Sequence, residues 1–255
     1  MNTKGKKRQT GGDDNLVPGR KPVLELVQNS RDTVDMVFVQ EGARGKDVGA
    51  IIDACRDGGV RFRKVPRGDM ARMFDGNHQG VLARTSAASY TELEDLLDAA
   101  LDAPLPLLLA LDQVQDPGNV GAMARTLYAL GGAGIIVPKD RTAYLGGAAV
   151  KASAGALTRL PVARVVNLSR ALDACDERGW PIYGSMVDPV GKNMYAQALS
   201  TPAVLVMGNE EKGIRPGVAK RCSEKLTIPL RRPFDSFNVA QAAAIIMGEF
   251  SRQHG

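Results

Sequence analysis

The sequence predicts an α/β protein with a mostly parallel sheet, preceded by a smaller α/β unit. Three observations carry that expectation. From Leu105 onward, short apolar runs alternate with stretches whose apolar residues recur at helical spacing. The runs are apolar at nearly every position, as strands covered on both faces are, which is the mark of a parallel sheet between helices. Ahead of them, another set of helix and strand patterns closes within about 70 residues, compact enough to be its own domain.

Residues 1–20, MNTKGKKRQTGGDDNLVPGR, are polar and glycine-rich, with Lys4, Lys6, Lys7 and Arg8 clustered early. They are expected to form a disordered basic arm, either touching nucleic-acid phosphate or simply solvated. Residues 21–88 are expected to form the small unit. In it PVLELVQNS reads as a helix, VDMVFVQ as a strand and DVGAIIDACRDGG as a helix with a glycine stop. VRFRKVP is a second strand, MARMF a short helix and GVLARTS a third strand. Residues 89–104 are expected as a linker containing an amphipathic helix, within SAASYTELEDLLDAALDAP.

Residues 105–255 make the larger unit. LPLLLALD, AGIIVP, PVARVV, WPIYGSM, AVLVMG and KLTIPL are its strand candidates. NVGAMARTLYAL, GAAVKASAGAL, LSRALDACDERG and SFNVAQAAAIIMGEFSRQ are its helix candidates.

Composition excludes several classes. A content of 44% hydrophobic and 24% charged residues is ordinary for a globular chain. Only 5% aromatic residues argue against a sandwich built on large rings and against broad stacking surfaces. Cys55, Cys175 and Cys222 have no CxxC spacing, which excludes a zinc ribbon and points to reduced thiols in a cytoplasmic protein. With His78 and His254 the only histidines, a histidine-rich metal site is excluded. His78, in HQG, is expected to make a structural hydrogen bond. No apolar stretch is long enough to span a bilayer, and the polar N-terminus does not read as a signal peptide. The net charge of +5 hints at a polyanionic partner. Arg61, Arg63, Lys64 and Arg67 are placed either to follow an RNA backbone or to form a solvated face.

Three stretches following apolar runs carry chemistry. In DPGNVGAMART, Asn119 stands at a helix start, to cap it or to orient a partner. Gly121 and Arg125 share a face one turn apart, where something could approach closely beside a guanidinium. In VMGNEEKGI, Gly208 lets the chain turn at the sheet's carboxyl edge and Glu210 is the first carboxylate. In TIPLRRPFDSFNVAQ, Ser236 is expected to cap the last helix, with Asn238 in its first turn.

In order and with compatible spacing, N-x-G-x-x-x-R, V-M-G-N-E-x-x-G-I and I-P-x(6)-S-x-N-V-A resemble the three motifs of the SpoU/TrmH branch of the SPOUT RNA 2'-O-ribose methyltransferases. IIVPKDRTA and VKASAGALTRLPV are similar to family stretches between them. KPVLELV and HQGVLAR resemble the L30-like substrate-binding domain of the bacterial 23S rRNA guanosine-2'-O-methyltransferase. The resemblance implies a C-terminal SPOUT domain with a trefoil knot and methyl transfer from S-adenosylmethionine to a ribose hydroxyl. It also implies a homodimer whose interface contributes to the active site, 23S rRNA as substrate, and no metal.

Carried over by position, Gly208, Ile228 and Phe237 match cofactor contacts; Phe237 replaces the family's usual Leu. Arg125 matches the arginine central to catalysis, with Asn119, Glu210, Ser236 and Asn238 as companions. A guanidinium pKa above about 12 favours charge stabilisation over literal base chemistry for Arg125. Glu210 is expected to orient Arg125 through a bidentate pair, Asn119 to position the ribose, and Ser236 and Asn238 to fix the loop. A tRNA ribose methyltransferase and a non-catalytic RNA-binding module stay open as alternatives. A dinucleotide-binding dehydrogenase lacks its G-x-G-x-x-G.

Overall fold

The computed structural model describes residues 15–86, 88, 90–187 and 192–255. The chain divides into two compact units, Met1–Ser86 and Ala87–Gly255. Among the described residues no helix is long and apolar enough to cross a membrane.

The first unit runs β1 (Leu16–Pro18), α1 (Arg20–Asn29), β2 (Val34–Gln40), α2 (Lys46–Asp57), β3 (Phe62–Val65), α3 (Arg67–Met73) and β4 (Val81–Thr85). Its four strands lie in the order β1-β4-β2-β3, with β3 parallel to β2 and β4 antiparallel to both neighbours. Val37 and Val39 of β2 pack with Val23, Val27, Ile51 and Cys55 of α1 and α2. Phe38 faces the other way, onto Val65, Met70 and Leu82. This alternation is what a strand covered on both faces requires.

Two expectations for this unit change. Residues 16–18, expected to belong to a disordered arm, are instead a strand: Leu16–Pro18 pairs with β4 and Val17 packs against the core. A three-residue edge strand draws its stability from its partner and leaves almost no periodic signal. The cluster Lys4 to Arg8 lies outside the described residues. Arg61, read as a candidate for RNA backbone, instead donates to the buried carboxylate of Asp35 at 2.7 Å, which Arg84 also grips at 2.7 Å. Asp35 reaches both from an irregularity in the β2–β4 register between Val34 and Met36. Arg63, Lys64 and Arg67 are exposed. His78 is structural, as expected: its Nδ1 accepts from the Gly80 backbone N–H at 3.0 Å.

The second unit contains β5 (Tyr90–Thr91), α4 (Leu93–Ala99), β6 (Leu105–Leu111), α5 (Pro117–Ala129), β7 (Gly132–Pro138), α6 (Gly147–Ala152), β8 (Val162–Val165) and α7 (Leu168–Glu177). It continues with β9 (Ile182–Ser185), β10 (Lys192–Asn193), β11 (Ala203–Met207), α8 (Pro216–Ala219), β12 (Glu224–Thr227) and α9 (Val239–His254). Its eight strands lie in the order β10-β12-β9-β11-β6-β7-β8-β5, and every pair is parallel. Leu107, Leu109 and Leu111 of β6 face α5 and α9, while Leu108 and Ala110 face α4 and α7. Helices on both sides explain why β6 reads as an unbroken apolar run.

Residues 89–104, expected as a linker, instead hold β5 and α4, which belong to this unit. Tyr90 pairs with Val162, and Leu96 and Leu97 are buried in the core beside β7. The amphipathic stripe needed an apolar face to cover, and the sheet supplies it. The helix expected across GAAVKASAGAL stops at Ala152, since Ala154 adopts φ 50° and Gly155 φ 85°.

Gly121 sits where α5 meets α6. A Cβ there would lie 2.6 Å from Ala152 Cβ and 2.9 Å from Ser153 N. The close approach read from the sequence is therefore that of a neighbouring helix. Gly121→Ala should lower the thermal melting temperature, with a cost of about 1–3 kcal/mol, because the obstruction is backbone and cannot move aside. Gly49→Ala is the control: a Cβ in that exposed helical position meets nothing within 4 Å and should stabilise modestly.

Candidate active site at the carboxyl edge of the parallel sheet

Strand order brings the first two motifs together. β11 pairs with β6 so that Met207 lies opposite Leu111, and the Asp112 N–H donates to Met207 O at 2.8 Å. Gly208 and Asp112 therefore leave the sheet side by side. Asp112 is fully buried. Its carboxylate accepts from the Arg215 backbone N–H and from Arg215 Nε, each at 2.7 Å. That pair closes the intervening loop, residues 208–214, from its far end.

Inside the loop, Asn209 and Gly213 exchange backbone hydrogen bonds of 3.0 and 2.9 Å. Asn209 Oδ1 accepts from the N–H groups of Glu211 and Lys212, and its Nδ2 donates to Gln113 O at 3.1 Å. At Gly208 a Cβ would lie 2.5 Å from Ile214 N and 2.6 Å from Gly213 O, so the loop folds over this position only without a side chain.

A cavity of about 550 Å³ lies beside this loop. Its walls are Ser185–Val187 after β9, Met207–Ile214 after β11, and Thr227, Ile228 and Leu230 after β12. Asp235, Ser236, Phe237, Val239 and Ala242 close it. The volume suits a nucleoside-sized ligand, and much of the wall is loop backbone able to read polar edges. Of the expected cofactor residues, Gly208, Ile228 and Phe237 all line it, as do Glu210 and Ser236.

A hydrogen-bond chain ties the three motifs. Asn238 Nδ2 donates to Asn119 Oδ1 at 3.1 Å, and Asn119 Nδ2 donates to Glu210 Oε1 at 2.7 Å. Asn119 is free to do this because Asp116 caps α5, accepting from the Asn119 N–H at 2.7 Å behind Pro117. The cap expected of Ser236 belongs to Asn238, whose Oδ1 accepts from Ala240 and Gln241 N–H groups. Ser236 lies two residues ahead, on the cavity wall.

The expected Glu210–Arg125 pair is absent within the chain; Glu210 is engaged by Asn119 and, at 3.4 Å, by Asn209. Six residues on α5 separate Asn119 from Arg125 by about 9 Å along the axis and about 120° around it. Arg125 is exposed, with no hydrogen-bonded or ion-paired partner among the described residues.

Reading by motif missed Asn209, Asp112 and Arg215. The available signal was a lone carboxylate ending an apolar run. The thiols take no part: burial pushes Cys175 up to about 12 and Cys55 and Cys222 up to about 11, leaving none as a thiolate near neutral pH.

The Asp112–Arg215 pair makes an asymmetric prediction. Arg215→Ala strands a buried carboxylate and should cost about 3–5 kcal/mol in denaturant titration. Asp112→Asn should cost only about 1–2 kcal/mol, because the Arg215 side chain is already 39% exposed and can turn to water.

Comparison with known proteins agrees with this geometry. Residues 106–248 match the SpoU rRNA methylase family, and residues 16–91 match the RNA 2'-O ribose methyltransferase substrate-binding family. A protein of Mycobacterium ulcerans described as an uncharacterized tRNA/rRNA methyltransferase is 36% identical over 239 residues, 93% of this chain and 76% of that one. The SpoU methyltransferase AviRb of Streptomyces viridochromogenes, solved with AdoMet, shares the fold at TM-score 0.57 and 23% identity, covering 93% of this chain and 89% of its own. A TrmH/SpoU tRNA modifying enzyme of A. aeolicus superposes at TM-score 0.55 and 25% identity, over 63% of this chain and 81% of its own. With one family matched across most of the second unit and its substrate-binding partner across the first, the chain belongs to the SpoU family of RNA methyltransferases.

Proposed function

We propose that the protein transfers the methyl group of S-adenosylmethionine to a ribose 2'-hydroxyl of RNA, specifically a guanosine of 23S rRNA in the peptidyl-transferase region, as a cytoplasmic homodimer. The observation that carries this reading is the Asn238–Asn119–Glu210 chain at the rim of the cavity, where three distant motifs meet. A small-residue floor at Gly208, apolar Ile228 and the ring of Phe237 fit an adenosyl group held largely by loop backbone. When bound, that cofactor supplies an electrophilic methyl on a sulfonium sulfur.

The chain's residues supply orientation and charge. Asn119 presents its amide beside Glu210 and positions the ribose; in-line attack is chiefly a matter of such placement. Asn238 and Ser236 hold the last loop against the cavity. Arg125 stabilises charge developing on the 2'-oxygen, or grips the adjacent phosphate, as the hydroxyl proton leaves to water. Its lack of a hydrogen-bonded or ion-paired partner among the described residues supports its entering the site of a second copy. The trefoil knot belongs to the same reading: β12 lies beyond β9, yet α9 returns to pack on α5, so residues 228–238 cross back beside the 208–214 loop.

A tRNA ribose is the second reading, favoured by the A. aeolicus relative's description as a tRNA modifying enzyme. The SpoU rRNA methylase match over residues 106–248 favours rRNA.

Arg125→Ala should keep its fold and its calorimetric affinity for S-adenosylmethionine while methyl transfer to unmodified rRNA falls about 10²–10³-fold. Wild-type turnover would remove the role, and a chain that binds no S-adenosylmethionine would leave only an RNA-binding module. If Arg125 acts across the dimer, mixing Arg125→Ala with Glu210→Ala chains should restore up to about a quarter of wild-type activity, since half the sites in mixed dimers carry neither change. No recovery would place both residues in one chain's site.

A further inference from the structure

The segment from Leu230 to Asn238 contains a feature that the methyl-transfer site does not use. Leu230 and Asp235 to Phe237 line the cavity, but residues 231–234 between them do not. Arg231, Arg232, Pro233 and Phe234 thus form an outward part of the rim between two lining residues, and all four are exposed. Phe234 is 76% exposed, against 39% for Phe237 and none for Phe250 in the core. Leaving so much of a phenyl group in water sacrifices most of its burial free energy. Neither arginine has a hydrogen-bonded or ion-paired partner among the described residues. The nearest carboxylate in sequence, Asp235, lines the cavity instead.

We propose that Phe234, with Arg231 and Arg232, forms a stacking and phosphate-binding site for an unpaired RNA nucleotide at the cavity mouth. The assignment rests on the RNA-methylation reading and extends it. A nucleotide offers a flat base and an anionic phosphate, and single-stranded RNA is held by aromatic rings on the one and cations on the other. A duplex hides its base faces and offers only phosphate. A nucleotide delivering its ribose into the cavity has its base outside the stack, where an exposed ring on the rim can take it. The same loop therefore selects unpaired substrate, with Phe234 a specificity-determining residue rather than a catalytic one.

The test uses the full chain and fluorescence anisotropy, with a labelled single-stranded RNA of about 12 nucleotides and a duplex of equal length. Phe234→Ala should weaken single-strand binding about tenfold, with little effect on the duplex. Phe234→Trp should restore single-strand binding. Arg231→Ala with Arg232→Ala should weaken both probes and flatten the salt dependence. S-adenosylmethionine affinity and sedimentation should stay unchanged in every variant. Single-strand affinity unchanged in Phe234→Ala overturns the site. So does a loss of cofactor affinity, which makes the ring a cofactor cover, or dissociation of the dimer, which makes it a subunit contact. A wild-type chain that binds neither probe sinks the RNA reading itself, whereas tight wild-type binding indifferent to Phe234 sinks this site alone.

Discussion

A single buried carboxylate organises the site. Asp112 ends β6 with no access to water, and its oxygens are taken by the backbone and guanidinium of Arg215. A charge in such a place is tolerated only when paired and hydrogen-bonded, so the position of Arg215 is set by the strand end rather than by its own loop. Between Asp112 and Arg215 the chain must close the turn from Gly208 to Ile214, and that turn forms one wall of the cavity. Asn209 clips the same turn to Gln113, the residue after Asp112. The cavity wall is thus pinned at both ends to one strand, on the rigid part of the sheet.

From that anchor the polar chain extends. Glu210, held in the pinned turn, accepts from Asn119 on the first turn of α5, and Asn119 accepts from Asn238 at the start of α9. Each asparagine performs two tasks: Asn238 caps α9 with its oxygen while its amide nitrogen reaches Asn119. Asp116, by capping α5, leaves the Asn119 side chain available. Side chains fixed this way lose little freedom on meeting a substrate, which is where a reaction dependent on orientation gains most.

The sequence rendered some parts legible and others not. The second unit's principal strands were visible because both faces of each are covered, which writes a continuous apolar run into the chain. The strands Leu16–Pro18 and Tyr90–Thr91 were not, since two or three residues have no measurable period and exist through their partners. Ser236 and Asn238 were both read near the start of α9, with the capping role given to the wrong one. Either side chain can cap, and only the entry angle of the chain decides which oxygen meets Ala240 N–H. Gly121 was read as a place of close approach; what approaches is α6, an identity no local pattern contains. Within one chain Glu210 meets Asn119 instead of Arg125, because motif companionship says nothing about which face of α5 turns toward the loop.

The amino-acid sequence alone determined where the longer strands and helices lie, which segments carry Asn, Glu and Arg, and the family to which those motifs point. It could do so because burial periodicity, capping chemistry and motif spacing are local properties of the chain. Tertiary structure decided that β11 inserts between β6 and β9, that Asn119 rather than Arg125 meets Glu210, and that the cavity opens where three loops leave one edge. Parallel strands pair through backbone groups common to every residue, so the neighbour of each strand is chosen by the packing of the whole sheet and its covering helices, not by any stretch of sequence on its own.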